Sequence, residues 1–599
     1  MKRTTLAAIA FLVGMSLSAQ IRFGNSPSNN NQMSDLEKNM QKLVMASFMI
    51  NNFYVDSVDS KKLTEDAING ILSKLDPHSA YTNASDTKKF TEPLEGSFEG
   101  IGVQFNILED TLLVIQPVPK GPSEKVGILA GDRIVSVADT AIAGVKMSRE
   151  EIMHRLRGPK GTIARLGVVR RGIQDTLLVI QPVPKGPSEK VGILAGDRIV
   201  SVADTAIAGV KMSREEIMHR LRGPKGTIAR LGVVRRGIQD TLRFNVKRDR
   251  IPVNSVDAAY MVTPTIGPIR FNNFGQTTHN EVVEAIKKLK GEGMQDLIID
   301  LQQNSGGFLN AAAEIASEFL PKGDMIVYTK GRSVPNQEFR SSGRGSFQEG
   351  KVAVLIDEYS ASAAEILSGA IQDQDRGIVV GRRSFGKGLV QRPFDMPDGS
   401  MIRLTTARYY TPSGRSIQKP YEKGKSLDYA RDVINRYNKG ELTNEDSIHF
   451  PDSLRYQTLR KGRTVYGGGG IMPDYFVPLD TTKFARCYRE LSAKSIIINA
   501  NLKYMDKNRK KLKKAYPSFE QFRKEFELPQ EIVDDIFAEG EKQNIKPQDD
   551  EERQKTTDNI RRIVKGLVAR DLWDMSEYFA IIYADDEVVR KAVELLQAE

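Results

Sequence analysis

The stretch 352–391, VAVLIDEYSASAAEILSGAIQDQDRGIVVGRRSFGKGLVQ, restricts the fold more than any other part of the chain. The apolar run Val352–Ile356 reads as a buried strand. A polar break, Asp357-Glu358-Tyr359, is followed by the small residues Ser360-Ala361-Ser362-Ala363-Ala364. Residues 365–374 then carry the apolar spacing of a helix, with Ile366, Leu367, Ala370 and Ile371 on one side. A second strand over 378–380 leads into Phe385-Gly386-Lys387-Gly388. Strand, tight turn, helix and strand in that order build an α/β layer, with a serine cluster at the helix entrance and a lysine just past the second strand.

That arrangement suits nucleophilic catalysis by a serine. A side chain at a helix N-terminus faces unpaired N–H groups and the positive end of the helix dipole, which favour a developing oxyanion. The flanking alanines leave room for a substrate carbonyl. A base is also needed, and the five histidines (His78, His154, His219, His279, His449) all lie far from this turn in sequence. Lysine serves instead in Ser-Lys variants of the triad. Its reference pKa of about 10.4 must then fall through burial or nearby positive charge. The neighbours Arg382 and Arg383 could contribute that charge, with their direction left open by the sequence. Gly386 and Gly388 let the backbone pack closely and bring Lys387 beside the serine. The residues alone leave Ser360 and Ser362 both open as nucleophile, and leave open that both only cap a helix. Ser-x-x-Lys pairs occur at Ser85/Lys88, Ser384/Lys387 and Ser416/Lys419, as chance allows in a chain this rich in both residues. The glycines beside Lys387 also argue against the helix that such a motif requires.

Here the stretch resembles the active site of the carboxyl-terminal processing peptidases, the tail-specific serine proteases. In that family a serine in a Ser-Ala-Ser-Ala run precedes, by 25 positions, the lysine of a Phe/Tyr-Gly-Lys-Gly motif, with a glutamine four residues later, and Ser362, Lys387 and Gln391 match that spacing. The resemblance implies Ser362 as nucleophile, Lys387 as general base, and Gln391 as the residue that orients the lysine amine. It implies Ala363 N–H as one oxyanion donor, and Glu365 as a polar support. Upstream, Gln302-Gln303-Asn304-Ser305-Gly306-Gly307 is similar to the family's Arg-x-Asn-Pro-Gly-Gly, which implies that the Gly306-Gly307 loop supplies the second oxyanion N–H. Paired glycines between a strand and a helix fit that job physically. Gln302 stands where the family has arginine, losing a bidentate charge contact, and Ser305 where it has proline, loosening the turn. The resemblance extends to Leu75-Asp76-Pro77-His78-Ser79, which makes His78 a structural turn residue, and to the segments 406–418 and 470–474.

Phe98-Glu99-Gly100-Ile101-Gly102-Val103 opens a section that resembles a PDZ domain, supported by Gly127-Ile128-Leu129-Ala130-Gly131-Asp132. Gly100, Ile101, Gly102 and Val103 are then the substrate-binding loop, whose N–H groups cradle a terminal carboxylate beside a strand open to β-augmentation. Residues 110–174 recur without one change as 175–239. The copy omits both the glycine loop and the closing strand, so one complete groove and one partial unit are expected. A very recent duplication and an assembly artefact both account for such identity.

Met1-Lys2-Arg3, an apolar run over 6–13 and small residues to Gln20 read as a signal peptide, residues 1–19. This points to an exported protein, in a periplasm or at the outer face of an envelope. Cys487, the sole cysteine, excludes an internal disulfide and a cysteine-based metal site, and no metal site is apparent. The net charge of +11 includes +5 from each of the two copies of the repeated segment, and no nucleic-acid motif accompanies it.

The expected layout is a linker over 20–34, an N-terminal helical segment over 35–95 and the PDZ region over 96–250. A peptidase core follows over 251–480 with an insertion at 420–466, then a helical extension over 481–599. The fold class is α/β: a crotonase/ClpP-like protease core with a β-rich PDZ domain, inserted or preceding, and helical termini. The function implied is an exported serine endopeptidase that cleaves proteins near accessible, apolar C-termini and needs no cofactor. The alternative is a PDZ-based peptide-binding protein with a latent or inactive protease core. An envelope adaptor protein and a homo-oligomer are further partners left open.

Overall fold

The computed structural model describes residues 34–84, 86–87, 254–481 and 484–598, with the backbone of short strands between 97 and 252. The chain divides into two compact units, Met1–Gly70 and Ile71–Glu599. In the first, Ser34 and Glu37 form a reciprocal capping box that opens the helix Asp35–Phe53. A second helix, Ser60–Leu72, follows. The segment read as a signal peptide lies outside the described residues.

The second unit is built on a six-stranded sheet in the order β1 (Val256–Ala259), β2 (Ile266–Phe271), β3 (Asp296–Asp300), β4 (Val352–Ile356), β5 (Ile378–Gly381) and β6 (Tyr475–Phe476). Only the β1–β2 pair is antiparallel. Every residue of β4 is buried, which is why its sequence is apolar throughout: both faces of the sheet are covered. On one face lie α1 (Thr278–Gly291), α2 (Leu309–Ser317) and α3 (Ala363–Asp373), packed on Ile299, Val354 and Ile356. On the other face Ile298, Ala353 and Leu355, one residue out of step, meet Val588, Val589, Ala592 and Leu596 of α4 (Glu587–Ala598). Between β1 and β2 the chain turns, and Val262 N–H closes on Ile266 O (2.9 Å).

A second, antiparallel sheet orders Ala80–Thr82, Met401–Tyr410, Met325–Lys330 and Gln337–Arg340, with Leu389–Asp395 also paired to Met401–Tyr410. Its strand Leu389–Asp395 begins just after the lysine, and β5 of the first sheet ends before it. Between Arg486 and Leu572 five helices enclose a core of their own around Met505, Phe522, Ile536 and Val564.

In the repeated region Gly100, Ile101 and Gly102 lie outside the described residues, and Val103 opens the strand Val103–Leu108. Among the described residues, Thr111–Pro117 pairs with Val103–Leu108, and Ile228–Val234 pairs along its length with Thr241–Lys247. Leu166–Val169 of the first copy and Leu178–Val179 of the second join in parallel at Val169 and Leu178.

Arg415 is fully buried and donates to Asp373 Oδ1 (2.7 Å), Gln372 Oε1 (2.7 Å) and Tyr466 O (2.8 Å), tying the end of α3 to the turn after Tyr410. Removing one partner of a buried ion pair leaves an uncompensated charge, so Arg415→Ala should lose about 3–5 kcal/mol of stability. The measurement is the shift in urea midpoint; a shift equal to that of a surface Arg→Ala control would refute the assignment.

Candidate active site

The site forms where β3 and β4 end, the edge at which open α/β sheets bind ligands. After β4, Asp357 Oδ1 accepts from Tyr359 N (3.0 Å), Ser360 N (3.1 Å) and Gln303 N (3.0 Å), joining the two strand-end loops. Ser360 is fully buried; its hydroxyl donates to Leu301 O (2.8 Å) and accepts from Asp357 N (2.9 Å). Its oxygen is thus part of the turn's framework. Ser384 is equally buried, bonded to Glu365 Oε1 (2.6 Å) and Ile471 N (2.6 Å).

Ser362 is partly exposed and caps α3 with φ +56° and ψ −112°. A residue with a side chain held in that left-handed region costs on the order of 1–3 kcal/mol and persists only where its surroundings enforce it. Here they do. Ser362 N–H donates to Glu365 Oε2 (2.7 Å), Ala361 N–H donates to Asn304 O (2.9 Å), and Tyr409 OH donates to Ser362 O (3.0 Å).

The glycine loop presses against this turn. A Cβ on Gly306 would lie 2.7 Å from Ser362 Cβ and 2.9 Å from Ala363 N, so glycine is required for the approach. Gly306 N–H donates to Asn304 Oδ1 (2.9 Å). Gly307 N–H and Ala363 N–H have no partner among the described hydrogen bonds. Asn304 is itself anchored through Nδ2 to Phe271 O (2.8 Å).

Lys387 is drawn to the same place by shared partners. Glu365 Oε2, which holds Ser362 N–H, also accepts from Lys387 N (2.9 Å). Its Oε1 accepts from Ser384 Oγ (2.6 Å) and Gly386 N (2.7 Å). Tyr409 OH lies 3.0 Å from Ser362 O and 2.6 Å from Lys387 O. Burial pushes the Glu365 pKa up, while all four donors favour its ionised form. Lys387 Nζ donates to Gln391 Oε1 (3.0 Å), and Gln391 Nε2 donates to His78 O. The 75–79 turn that supplies this carbonyl is knotted by Asp76, which accepts from His78 N (2.9 Å), Ser79 Oγ (2.6 Å) and Thr405 Oγ1 (3.0 Å).

Burial, helped by the charge of Arg403, brings the Lys387 pKa down to about 8. Arg382 and Arg383 are not the source: Arg382 pairs with Glu358 (2.7 Å), and Arg383 with Glu441 and Gly469 O. His78 is held down to about 4 by burial and by the Lys387 charge. A cleft of 590 Å³ opens at the lysine, lined by Gln303, Ser305, Tyr359, Ala361, Phe385 and Lys387. A larger cavity of 820 Å³ sits at the opposite end of β4 and β5, where Arg463 pairs with Asp375 and Asp474, away from this chemistry.

The sequence reading missed the contribution of the 420–466 insertion. Tyr429 OH meets His78 Nε2 (3.0 Å), and Arg436, buried, donates to Ser384 O (3.0 Å) and Arg383 O (2.6 Å). Lys419 Nζ lies 3.7 Å from the Phe385 ring centre and 4.1 Å from that of Tyr429. No local pattern in the insertion marks these side chains. The Gln302 side chain takes no part, but its peptide group is held on both sides, by Asp300 and Arg270.

Residues 265–428 match peptidase family S41, residues 100–163 a PDZ domain, and residues 5–86 the N-terminal domain of the activating protease CtpB. Residues 487–574 match a family of unknown function. The chain is 31% identical over 417 residues to a carboxy-terminal-processing protease of Bartonella bacilliformis, covering 68% of this chain and 80% of that protein. It is 28% identical over 447 residues to the carboxy-terminal processing protease CtpB of Bacillus subtilis, covering 73% and 79%. Among solved structures, the photosystem II D1 C-terminal processing protease aligns with 64% of this chain and 91% of its own, at 22% identity and a TM-score of 0.30.

Glu365→Gln tests the geometry. Each carboxylate oxygen accepts two donors, and an amide would turn its own N–H groups toward one of those pairs. Since a misplacement of about 1 Å can cost about 100-fold in rate, turnover should fall by about that factor or more. The comparison is kcat of the variant against the unmodified chain on a protein substrate; a change of less than about threefold would show that the carboxylate does not align the two loops.

Proposed function

This chain belongs to the carboxy-terminal processing proteases of peptidase family S41, serine-type peptidases here equipped with a PDZ domain, and on that premise we propose that it cleaves proteins near their C-termini through Ser362 and Lys387. The observation that carries the residue assignment is the pair of shared acceptors and donors. Glu365 Oε2 binds the N–H of both residues and Tyr409 OH meets the carbonyl of both.

In the proposed mechanism neutral Lys387 removes the Ser362 proton as the hydroxyl attacks the scissile carbonyl. Ala363 N–H and Gly307 N–H receive the oxyanion. The protonated lysine returns its proton to the leaving amine, and the same base then activates the water that hydrolyses the acyl-enzyme. Gln391, held by His78 O, keeps the amine pointed at the serine. Tyr359, Ala361 and Phe385 give the cleft apolar walls, which suit apolar substrate residues. The PDZ loop Gly100–Val103 would recognise the substrate carboxylate, and the basic, apolar start of the chain would direct export to a periplasm or the outer face of an envelope. We assign the core over 251–480 a crotonase/ClpP-like plan, preceded by the PDZ region over 96–250 and followed by the extension over 481–599.

Two experiments test this reading. Ser362→Ala and Lys387→Ala should each reduce degradation of an unfolded protein by about 10⁴-fold or more; equal degradation by both variants and the unmodified chain would leave a peptide-binding scaffold as the better description. Because the base acts as a neutral amine, kcat/KM should rise with pH through about 8 and level off above it. Arg403→Gln removes a positive charge that disfavours protonation, so the inflection should move to higher pH; an unmoved inflection would mean that Arg403 does not tune the lysine.

A further inference from the structure

The loop carrying Gly307 starts at Gln302, and the Gln302 peptide is gripped from two sides. Its N–H donates to Asp300 Oδ1 (2.9 Å), and its carbonyl accepts from Arg270 Nη2 (3.0 Å). Arg270 Nη1 donates to Asp300 Oδ2 (2.7 Å) and to Tyr583 OH (2.6 Å). The guanidinium also lies 5.0 Å from the ring centre of Phe579 and 5.8 Å from that of Tyr583. The Asp300 side chain is wholly buried and that of Arg270 nearly so.

Phe579 and Tyr583 belong to the end of the chain, beyond the segments matching peptidase family S41 and the family of unknown function. Phe579 lies on the helix Met575–Ile582 and Tyr583 opens the 3-10 turn that follows it; the helix is fastened to the sheet through Ser576 Oγ on Ala259 N (3.1 Å) and Phe579 O on Tyr260 OH (3.5 Å). An arginine has several rotamers open to it. The hydroxyl and ring face of Tyr583, with the ring of Phe579, select the one that reaches the Gln302 carbonyl. The rest of the loop is tied to the nucleophile turn by Asp357 and Asn304, so Gln302 is where the C-terminal extension acts on it.

We propose that Tyr583 is a positioning residue for the peptidase reaction. Through Arg270 it fixes the Gln302 peptide, and so the direction of the Gly307 N–H that receives the oxyanion. The C-terminal extension is therefore part of the catalytic unit. This rests on the serine peptidase reading above.

The test uses the full chain with a peptide substrate and with a peptide aldehyde, whose adduct with the serine hydroxyl places an oxygen anion in the same hole. Tyr583→Phe keeps the ring and removes one hydrogen bond to a charged group, so kcat should fall by about tenfold with KM changed less than about twofold. Aldehyde affinity should weaken by a similar factor, while binding of an uncleavable peptide stays the same. Arg270→Lys, which keeps the charge but loses the fork, should do at least as much. Unchanged kcat and aldehyde affinity in Tyr583→Phe would overturn the proposal. So would a loss of kcat matched by a loss of titratable active sites, which would make the residue merely structural. Ser362→Ala, assayed alongside, reports on the underlying reading separately: if it retains full activity, that reading fails whatever the tyrosine variant does.

Discussion

One buried carboxylate holds the candidate site together. Glu365 has no access to water and meets four donors, from Ser362, Ser384, Gly386 and Lys387. A carboxylate removed from water is costly unless its lone pairs are filled, and each donor lost would leave an unpaired buried charge. That cost makes the arrangement specific. The serine turn and the lysine loop come from opposite ends of a helix and strand, and neither can drift without exposing the acid to an apolar shell. Tyr409 repeats the link on the carbonyl side of the same two residues. The two residues are therefore held through their backbone groups, and none of these bonds uses the Ser362 hydroxyl or the Lys387 amine.

Around this clasp, segments remote in sequence supply the outer supports. The 75–79 turn gives the carbonyl that orients Gln391, the insertion gives Tyr429 and Arg436, and the end of the chain gives Tyr583. The sheet shows the same dependence. Its second face would be an apolar surface without Val588, Val589, Ala592 and Leu596. The end of the extension thus shares a hydrophobic interior with the sheet.

Much of this was legible in the amino-acid order. β4 announces itself because both its faces are buried, and the small residues after it mark a helix entrance that must admit a substrate. The glycine loop could be read because close approach leaves no room for a Cβ. What could not be read is where polar side chains point. Arg382 and Arg383 sit beside the lysine in sequence yet face Glu358 and Glu441, while Arg403, on a paired strand, supplies the charge. Ser360 and Ser362 look alike until burial separates them.

On the proposed mechanism, the left-handed backbone at Ser362 also restricts which elements of the periodic table can do the attacking. A residue branched at Cβ is far more strained at a φ of +56° than an unbranched one, so threonine is barred on conformational grounds before its reactivity matters. Cysteine meets no such barrier. The turn's shape therefore leaves oxygen or sulfur on a single methylene as the reactive atom, and hands the choice between them to the basicity of the neighbouring amine.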